Sequence, residues 1–407
     1  MAKIIIHHDR VTSPDELTKL CPFFAIECLN GCLEINAACK MCKLCIKTGP
    51  EGVFELKEDA VEEIDKSQWK GIAVYVDCRA GEIHPVTFEL IGKAREMADK
   101  INHPVYCILM GYNIKNKASE ILRYGVDNIF IYDNQELKDF RIEPYTAVFE
   151  DFINKVKPSI VLIGGTNIGR SLAPRVAARF RAGLTADCTI LDVQENTDLD
   201  QIRPAFGGNI MAHIFTPNHR PQFATARYKV FTAPEESKEA KGMITLCHIE
   251  ESKLYSAVKV LDVKKKETTE TIEDAEVIVV AGRAFKKPED LEMVFKLADL
   301  LGAKVAATRP LIEAGWADAR KQIGLSGRTV KPKLIITCGV SGSVQFAAGM
   351  RNAECIIAIN KDPKAPIFNV AHYGILGDVY EIIPELIRHL NSNRESAQAG
   401  NNNTQRL

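Results

Sequence analysis

Six of the twelve cysteines lie between Cys21 and Cys45, and their spacing suits metal or iron–sulfur chemistry. Cys39, Cys42 and Cys45 form C-x2-C-x2-C, the spacing that lets three thiolates face one cubane cluster. Residues 1–10 lack the long apolar stretch of a secretory signal. The sequence therefore favours ligation of a metal or cluster over disulfides.

A fourth ligand is implied by a resemblance to two-cluster bacterial ferredoxins. Residues 21–26, Cys-Pro-Phe-Phe-Ala-Ile, resemble the C-P-x-x-A-I end of the first half of such a ferredoxin. In these proteins the fourth cysteine of each run ligates the other cluster. Gly49 stands where the second run would carry its fourth cysteine, and residues 1–20 contain no cysteine. The resemblance implies a single [4Fe–4S] cluster held by Cys21, Cys39, Cys42 and Cys45.

The cysteine pattern leaves alternatives open. A structural zinc ion held by four cysteines requires the same kind of donors. Cys28 and Cys32 then remain, and they either pack as small apolar side chains or replace one of the assigned ligands.

A second candidate site is the turn Gly-Val-Ser-Gly-Ser-Val-Gln at residues 339–345. The apolar run at 334–337 predicts a buried strand before it, and residues 343–350 are predicted to form a helix after it. A glycine turn of this kind lets backbone N–H groups approach a phosphate, and the helix dipole adds partial positive charge. Ser341 and Gln345 can add side-chain hydrogen bonds. An ordinary tight turn without a ligand is equally consistent with the pattern.

Alternating strand and helix patterns must position these turns. Apolar strand patterns separated by helical ones recur through residues 70–255 and again from 277 to 378. Such alternation predicts an α/β fold with parallel sheets and crossover helices. A second glycine turn, residues 163–170, follows one of these strands.

Composition and charge exclude some classes of partner. The 407-residue chain has a formal net charge of −1, which gives no electrostatic attraction to nucleic acid or anionic membranes. No apolar stretch reaches membrane-spanning length. We therefore expect a cytoplasmic protein that binds neither nucleic acid nor membrane.

Five motifs in fixed order resemble the α subunit of electron transfer flavoproteins. They are A-G-R at 281–283, T-R-P-L-I-E-A-G at 308–315, Q-I-G-L-S-G at 322–327, the 339–345 turn, and A-I-N-K-D-P-K-A-P-I-F at 358–368. Residues 164–188 also match the family's first domain. The match covers about residues 70–390, with the cysteine-rich unit added in front.

The resemblance implies an FAD site in the second domain. Arg283, Thr308 and Arg309 would lie near the flavin, and Asn360 and Asp378 would reach the adenosine side. The turn from Ser341 to Gln345 would approach the ribityl–diphosphate part. The complete set of implied contacts is Arg283, Thr308, Arg309, Ile323, Gly324, Leu325, Ser326, Ser341, Gly342, Ser343, Val344, Gln345, Phe346, Asn360, Asp378 and Val379.

Three positions depart from the family pattern. Leu325 stands where glutamine is usual, Phe346 replaces a histidine, and His372 replaces an aspartate. Because the first two would face the flavin ring, the departures bear on its redox tuning more than on FAD binding.

The resemblance implies a fold class and a domain plan. We expect two doubly wound, Rossmann-like parallel-sheet domains of the nucleotide- and FAD-binding type, preceded by a small ferredoxin-like α+β iron–sulfur domain. The predicted limits are 1–65 for the [4Fe–4S] domain, 66–262 for the first α/β domain, 263–391 for the FAD domain, and 392–407 for a flexible tail. Charged stretches at 57–70 and 264–270 predict linkers.

An added cluster domain resembles the electron-bifurcating members of the family. This resemblance implies three partners: a β subunit with a second FAD and the NADH site, a flavin-containing acyl-CoA dehydrogenase or reductase, and ferredoxin. The main interpretation is NADH-dependent reduction of an enoyl-CoA of the caffeyl-CoA type, coupled to ferredoxin reduction. The alternatives are a lactate dehydrogenase complex, a conventional electron carrier, and a zinc-containing binding module without redox chemistry. No catalytic residue is predicted on this chain, so substrate chemistry is expected on another subunit.

Overall fold

The structure, a computed structural model, describes residues 2–29, 31–36, 38–58, 64–205, 210–264 and 271–404. The chain divides into two compact units, which we call unit 1 (Met1–Ile64) and unit 2 (Asp65–Leu407). Residues 59–63 and 265–270, within the predicted linkers, lie outside the described residues. The domain limits predicted at 65, 262 and 391 stay predictions.

The strands are numbered in chain order. They are β1 (Ala2–Ile6), β2 (Ile26–Leu29), β3 (Cys32–Ile35), β4 (Phe54–Glu58), β5 (Ile72–Val76), β6 (Cys78–Arg79), β7 (Glu82–Ile83), β8 (Val105–Gly111), β9 (Asn128–Asp133), β10 (Ile160–Gly164), β11 (Leu184–Thr185), β12 (Ile190–Val193), β13 (Leu199–Ala205), β14 (Ile210–Ile214), β15 (Gln222–Ala226), β16 (Met243–Leu246), β17 (Val277–Ala281), β18 (Lys304–Ala307), β19 (Leu334–Cys338), β20 (Cys355–Asn360) and β21 (Tyr373–Leu376).

The α-helices are numbered in the same way. They are α1 (Pro14–Thr18), α2 (Leu44–Thr48), α3 (Val86–Ile101), α4 (Ala118–Leu122), α5 (Ile142–Val156), α6 (Asn167–Arg179), α7 (Glu292–Leu301), α8 (Arg309–Glu313), α9 (Val344–Ala347) and α10 (Val379–Thr404).

Unit 1 has the element order β-α-β-β-α-β. β1 pairs antiparallel with β4, and β2 pairs antiparallel with β3, so each half of the unit contributes one strand to each pair. A small apolar core lies between these elements and includes Leu17, Ile26, Leu33, Val53 and Phe54. With so few core residues, a unit of this size gains little stability from apolar burial alone.

A seven-stranded sheet forms the first part of unit 2. Its strand order is β11-β15-β10-β5-β8-β9-β16, and every neighbouring pair is parallel. Residues of one strand alternate between two cores: Val74 packs on the side of α3, while Tyr75 packs on the side of α5. Because helices cover both faces, β5 is buried along its whole length and its sequence is a continuous apolar run. A three-stranded antiparallel sheet, β12-β13-β14, and the β6-β7 pair complete this part.

A five-stranded parallel sheet forms the second part of unit 2. Its order is β18-β17-β19-β20-β21, so that the strands follow the order 2-1-3-4-5. Two apolar cores again lie on opposite faces, one including Val280 and the other including Val279. In a doubly wound sheet of this order, ligands bind beyond the carboxyl ends of the strands at the point where the strand order reverses, here between β17 and β19.

The helix after the glycine turn is shorter than predicted. We expect a helix over 343–350, but α9 spans only Val344–Ala347. Gly349 packs its backbone against Gly324, and its carbonyl accepts a hydrogen bond from Val330 N at 2.8 Å. This tertiary contact ends the helix after one turn, so the helix dipole at the turn is weaker than the sequence implies.

The last helix, α10, continues to Thr404, and residues 405–407 lie outside the described ones. It enters the segment 392–407, for which the flexible tail stays a prediction. Good helix formers such as Arg394, Glu395, Ala397 and Gln398 occur here, and no proline interrupts them. Among the described helices, none combines the length and apolar character needed to cross a bilayer.

Candidate functional site

The predicted cofactor residues lie at the carboxyl edge of the five-stranded sheet. Arg283 follows β17, Thr308 follows β18, Ser341 follows β19, Asn360 ends β20, and Asp378 follows β21. Because all five strands are parallel, their carboxyl ends meet at one edge. The fold thus brings together residues that are up to 95 positions apart in the chain.

Two glycines shape this edge at the point where the strand order reverses, between β17 and β19. A Cβ on Gly282 would overlap the carbonyl of Gly339, so the segments after β17 and β19 approach more closely than side chains allow. Gly342 has a φ of +82°, and a Cβ there would overlap the backbone of Ile367. The turn is fixed further by Ile367 N, which donates to Ser341 O at 3.0 Å.

The segment 322–328 joins the same edge. Ile323 N donates to Ala307 O at 3.2 Å, which extends the sheet beyond β18. Leu325 N donates to Gln345 O at 2.9 Å. The Q-I-G-L-S-G motif and the glycine turn are therefore bonded directly to each other.

Gln322 is a site residue that the sequence reasoning did not single out, although it begins the Q-I-G-L-S-G motif. Its side chain is 9% exposed, and Nε2 donates to Ser326 Oγ at 2.7 Å. A hydroxyl that accepts such a bond keeps its own proton to donate. Ser326 itself is exposed, so this proton is available to a ligand.

Thr308 offers a direct test of whether the edge fits a ligand. Its side chain is 8% exposed, and Oγ1 has no hydrogen-bond partner among the described residues. Buried hydroxyls are nearly always hydrogen-bonded, because an unpaired one costs free energy. A group from outside the protein, such as a polar atom of a bound cofactor, would satisfy it.

Two arginines place positive charge at the edge. Arg283 is exposed and makes no ion pair or hydrogen bond with any residue that the structure describes. Arg309 is also exposed, but its Nε donates to Glu313 Oε1 at 2.8 Å, which offsets part of its charge. Arg283 is thus the better placed of the two to stabilise an anionic group.

Other predicted residues hold the framework. Asn360 Nδ2 donates to Val340 O at 2.8 Å, while its Oδ1 accepts from Asp362 N at 3.0 Å. Asp378 Oδ1 accepts from Tyr380 N at 3.0 Å at the start of α10. Val379 is 2% exposed, and its side chain packs in the apolar core.

The three departures from the family pattern occupy different environments. Phe346 is 5% exposed and packs in the core between the sheet and α9. His372 Nδ1 accepts a hydrogen bond from Ile356 N at 2.9 Å, which gives it a structural role. Leu325 is half-buried within the 322–328 segment.

An open cleft of about 500 Å³ borders Ser326 in unit 2. Arginines line it, including Arg227 and Arg328, and each is paired: Arg227 with Asp187 at 2.7 Å and Arg328 with Glu273 at 3.2 Å. Burial alone would raise the pKa of Asp187, but Arg227 holds it below its ordinary value. The arginine charges are therefore largely balanced by the protein itself, and we assign no ligand to this cleft.

The cysteines form the second candidate site, in unit 1. Cys21, Cys39, Cys42 and Cys45 line one small cavity of about 20 Å³, whereas Cys28 and Cys32 do not line it. Cys45 is buried; burial raises the pKa of its thiol, and the nearby Cys39 and Cys42 raise it further. The sulfur of Cys21 accepts a hydrogen bond from Ala25 N at 3.4 Å.

The loop that carries three of these cysteines has an unusual backbone. Met41 and Lys43, which separate the cysteines, have φ values of +51° and +60°. Residues other than glycine adopt this left-handed conformation only at a cost, and such positions concentrate at functional sites. The strained loop is thus consistent with a ligand that draws the thiols inward.

The donor set fits a soft metal centre. Four sulfur atoms line the cavity, with no carboxylate or imidazole among the lining residues. Sulfur-only sites suit iron–sulfur clusters or zinc. Within the described residues, no three His, Cys, Asp or Glu side chains are already drawn together as a metal site. The donors fit both the [4Fe–4S] assignment and the zinc alternative.

Two protein-family models match the chain. The electron transfer flavoprotein domain matches residues 72–252, and the electron transfer flavoprotein FAD-binding domain matches residues 271–351. The first contains the seven-stranded sheet, and the second contains the glycine turn.

Several curated relatives are similar over most of their length. Subunit LctC of a lactate dehydrogenase (NAD(+),ferredoxin) from Acetobacterium woodii is 64% identical over 373 residues, which cover 92% of this chain and 89% of the relative. The electron transfer flavoprotein subunit alpha of Thermoanaerobacterium thermosaccharolyticum is 40% identical, covering 80% of this chain and 98% of the relative. The acryloyl-CoA reductase electron transfer subunit beta of Anaerotignum propionicum is 37% identical, covering 81% of this chain and 97% of the relative. Together with the two matched domains, these relatives show that the chain belongs to the α-subunit family of the electron transfer flavoproteins.

Proposed function

We propose that this chain is the electron-transfer subunit of a complex that links NAD and ferredoxin to the oxidation of lactate. The observation that carries this proposal is the 64% identity to LctC over 92% of the chain. The 373 aligned residues are more than unit 2 alone could supply, so the similarity extends into the cysteine-rich unit 1.

This proposal replaces the main interpretation drawn from the sequence, which named an enoyl-CoA of the caffeyl-CoA type. The acryloyl-CoA reductase subunit is less similar, at 37% identity. The lactate alternative is therefore better supported by the relatives.

FAD is the cofactor that we assign to the edge of the five-stranded sheet, in line with the matched FAD-binding domain. Bound FAD supplies one- and two-electron redox chemistry. Arg283 would stabilise negative charge on it, Thr308 would gain a hydrogen-bond partner, and the turn from Ser341 to Gln345 would offer backbone N–H groups. Gln322 would orient the hydroxyl of Ser326 toward the ligand.

One [4Fe–4S] cluster is the group that we assign to the cavity in unit 1. Cys21, Cys39, Cys42 and Cys45 would supply its four thiolates. The support is that these four cysteines, and not Cys28 or Cys32, line the cavity.

The partners of the complex follow from the family. We infer a β subunit that carries a second FAD and the NADH site, a flavin-containing dehydrogenase that holds lactate, and ferredoxin. This chain would pass electrons and carry no substrate chemistry.

Anaerobic analysis of the complex tests the proposal. The chain would be co-expressed with its β subunit and dehydrogenase partner, and iron, sulfide and FAD would be measured. We expect four irons on this chain, two FAD per αβ pair, and lactate-dependent reduction of NAD+ that requires reduced ferredoxin. Zinc in place of iron, or activity with an enoyl-CoA but not with lactate, would reject it.

A substitution in the cysteine motif tests the ligand assignment. Cys42→Ser should remove most of the iron while FAD stays bound, because the two groups lie in different units. Cys32→Ser, a matched control in the same unit, should keep both. Equal iron loss in the two variants would contradict the ligand set.

A further inference from the structure

The rim of the cysteine cavity is both apolar and basic. Phe23 is 43% exposed and Leu44 is 38% exposed, although both are large apolar side chains. Lys40 and Lys43 also line the cavity, and both are exposed. No Asp or Glu occurs among the lining residues, so the charges of the cavity lining are positive. The exposed carboxylate of Glu27 lies farther along, where Asn36 Nδ2 donates both to it and to Phe24 O.

Phe24 adds an apolar side chain next to this rim. It is 82% exposed, and its φ is +52°, a conformation that bulky residues rarely adopt. Its backbone is fixed locally, since Phe24 N donates to Cys21 O at 3.1 Å and Asn36 Nδ2 donates to Phe24 O at 3.3 Å. Unit 1 gains no burial from presenting this ring to solvent. Exposed apolar clusters with polar borders mark sites of protein contact.

We propose that this surface, which consists of the cavity-lining residues Phe23, Lys40, Lys43 and Leu44 together with Phe24, docks a redox protein with a carboxylate-rich face. The lysines would attract the acidic partner, and the apolar side chains would fill the centre of the contact. Electron-transfer contacts are small and transient, and a surface of five residues suits an interface of that class. The inference rests on the proposed function only in that the cavity holds a redox group; the docking itself depends on the rim.

Charge reversal tests the electrostatic part. The complete complex would be titrated with a purified acidic ferredoxin, and the Kd would be measured at about 50 mM and about 300 mM NaCl. We expect Lys40→Glu/Lys43→Glu to weaken binding about tenfold or more at low salt, and added salt to remove most of the difference. Lys57→Glu, an exposed lysine on β4, is the matched control and should change the Kd less than about twofold. Equal affinities of the double variant and wild type at low salt would overturn the proposal.

Phe24→Ala tests the apolar part. We expect affinity to fall about fivefold or more, with thermal stability close to that of wild type, because the exposed ring contributes little burial to unit 1. Unchanged affinity would exclude Phe24 from the docking surface.

Iron content and the low-temperature EPR signal, measured on each variant, separate the two proposals. A wild type without a cluster that still binds ferredoxin through these lysines would refute the cluster assignment and keep the docking surface. An intact cluster in wild type, together with a ferredoxin affinity that the rim substitutions leave unchanged, would keep the cluster assignment and refute the docking surface.

Discussion

Replacing Thr308 by valine removes a buried hydroxyl while keeping the shape of the side chain. Thr308 Oγ1 has no partner among the described residues, and the side chain is 8% exposed. Leaving a hydroxyl buried and unpaired costs about 1–3 kcal/mol. We therefore expect Thr308→Val to raise the free energy of unfolding of the FAD-free protein by about 1–2 kcal/mol.

The same substitution should weaken FAD binding. If FAD supplies the missing partner, the variant loses what wild type gains on binding, about 1–2 kcal/mol, or roughly a 5- to 30-fold rise in the Kd. The two effects close a thermodynamic cycle, because the FAD-loaded forms of the two proteins should then differ little in stability.

Urea unfolding of the FAD-free and FAD-loaded protein, with FAD titration by fluorescence, measures all three quantities. Thr337→Val is the matched control: Thr337 is fully buried, but its Oγ1 donates to Ile357 O at 3.4 Å. That variant should lose about 1 kcal/mol of stability in both forms, with unchanged FAD affinity. An unchanged FAD-free stability of Thr308→Val would show that the hydroxyl is already satisfied, and an unchanged Kd would show that FAD does not contact it.

Two further substitutions test the framework. Burial raises the pKa of Glu89 from 4.5 to about 7, although the backbone N–H of Lys229 opposes the shift. Ionisation of Glu89 therefore lowers the free energy of unfolding of wild type as pH rises through this range. The stability of Glu89→Gln relative to wild type should rise by up to about 3 kcal/mol between pH 4.5 and pH 7, and should rise no further above pH 7. A stability difference that does not depend on pH would refute this prediction. Gly342→Ala should cost about 2–4 kcal/mol and weaken FAD binding, because a methyl group would meet the backbone of Ile367 at a positive φ. Gly302→Ala, at a positive φ with open space around it, should cost only about 1 kcal/mol, and equal losses in the two variants would show that the contact at Ile367 is irrelevant.

The sequence predicts the sheets and their shared edge well because local patterns determine them. Continuous apolar runs such as β5 arise when helices cover both faces of a parallel sheet, and the same rule places Arg283 and Ser341 at one edge. Spacing likewise identifies Cys39, Cys42 and Cys45 as cysteines that share one cavity.

Features that depend on distant contacts could not be predicted in this way. The helix after the glycine turn stops early because Gly349 meets Gly324, which is 25 positions away. The missing partner of Thr308 becomes visible only when its surroundings are known.

The hydrogen bonds of Asn360 and of the 322–328 segment have a kinetic consequence. Asn360 ties Val340 to Asp362, and Leu325 N ties its segment to Gln345 O, by hydrogen bonds within the protein. Loops that are already ordered lose little conformational entropy when a ligand arrives. FAD should therefore associate in a single fast phase without a slow rearrangement.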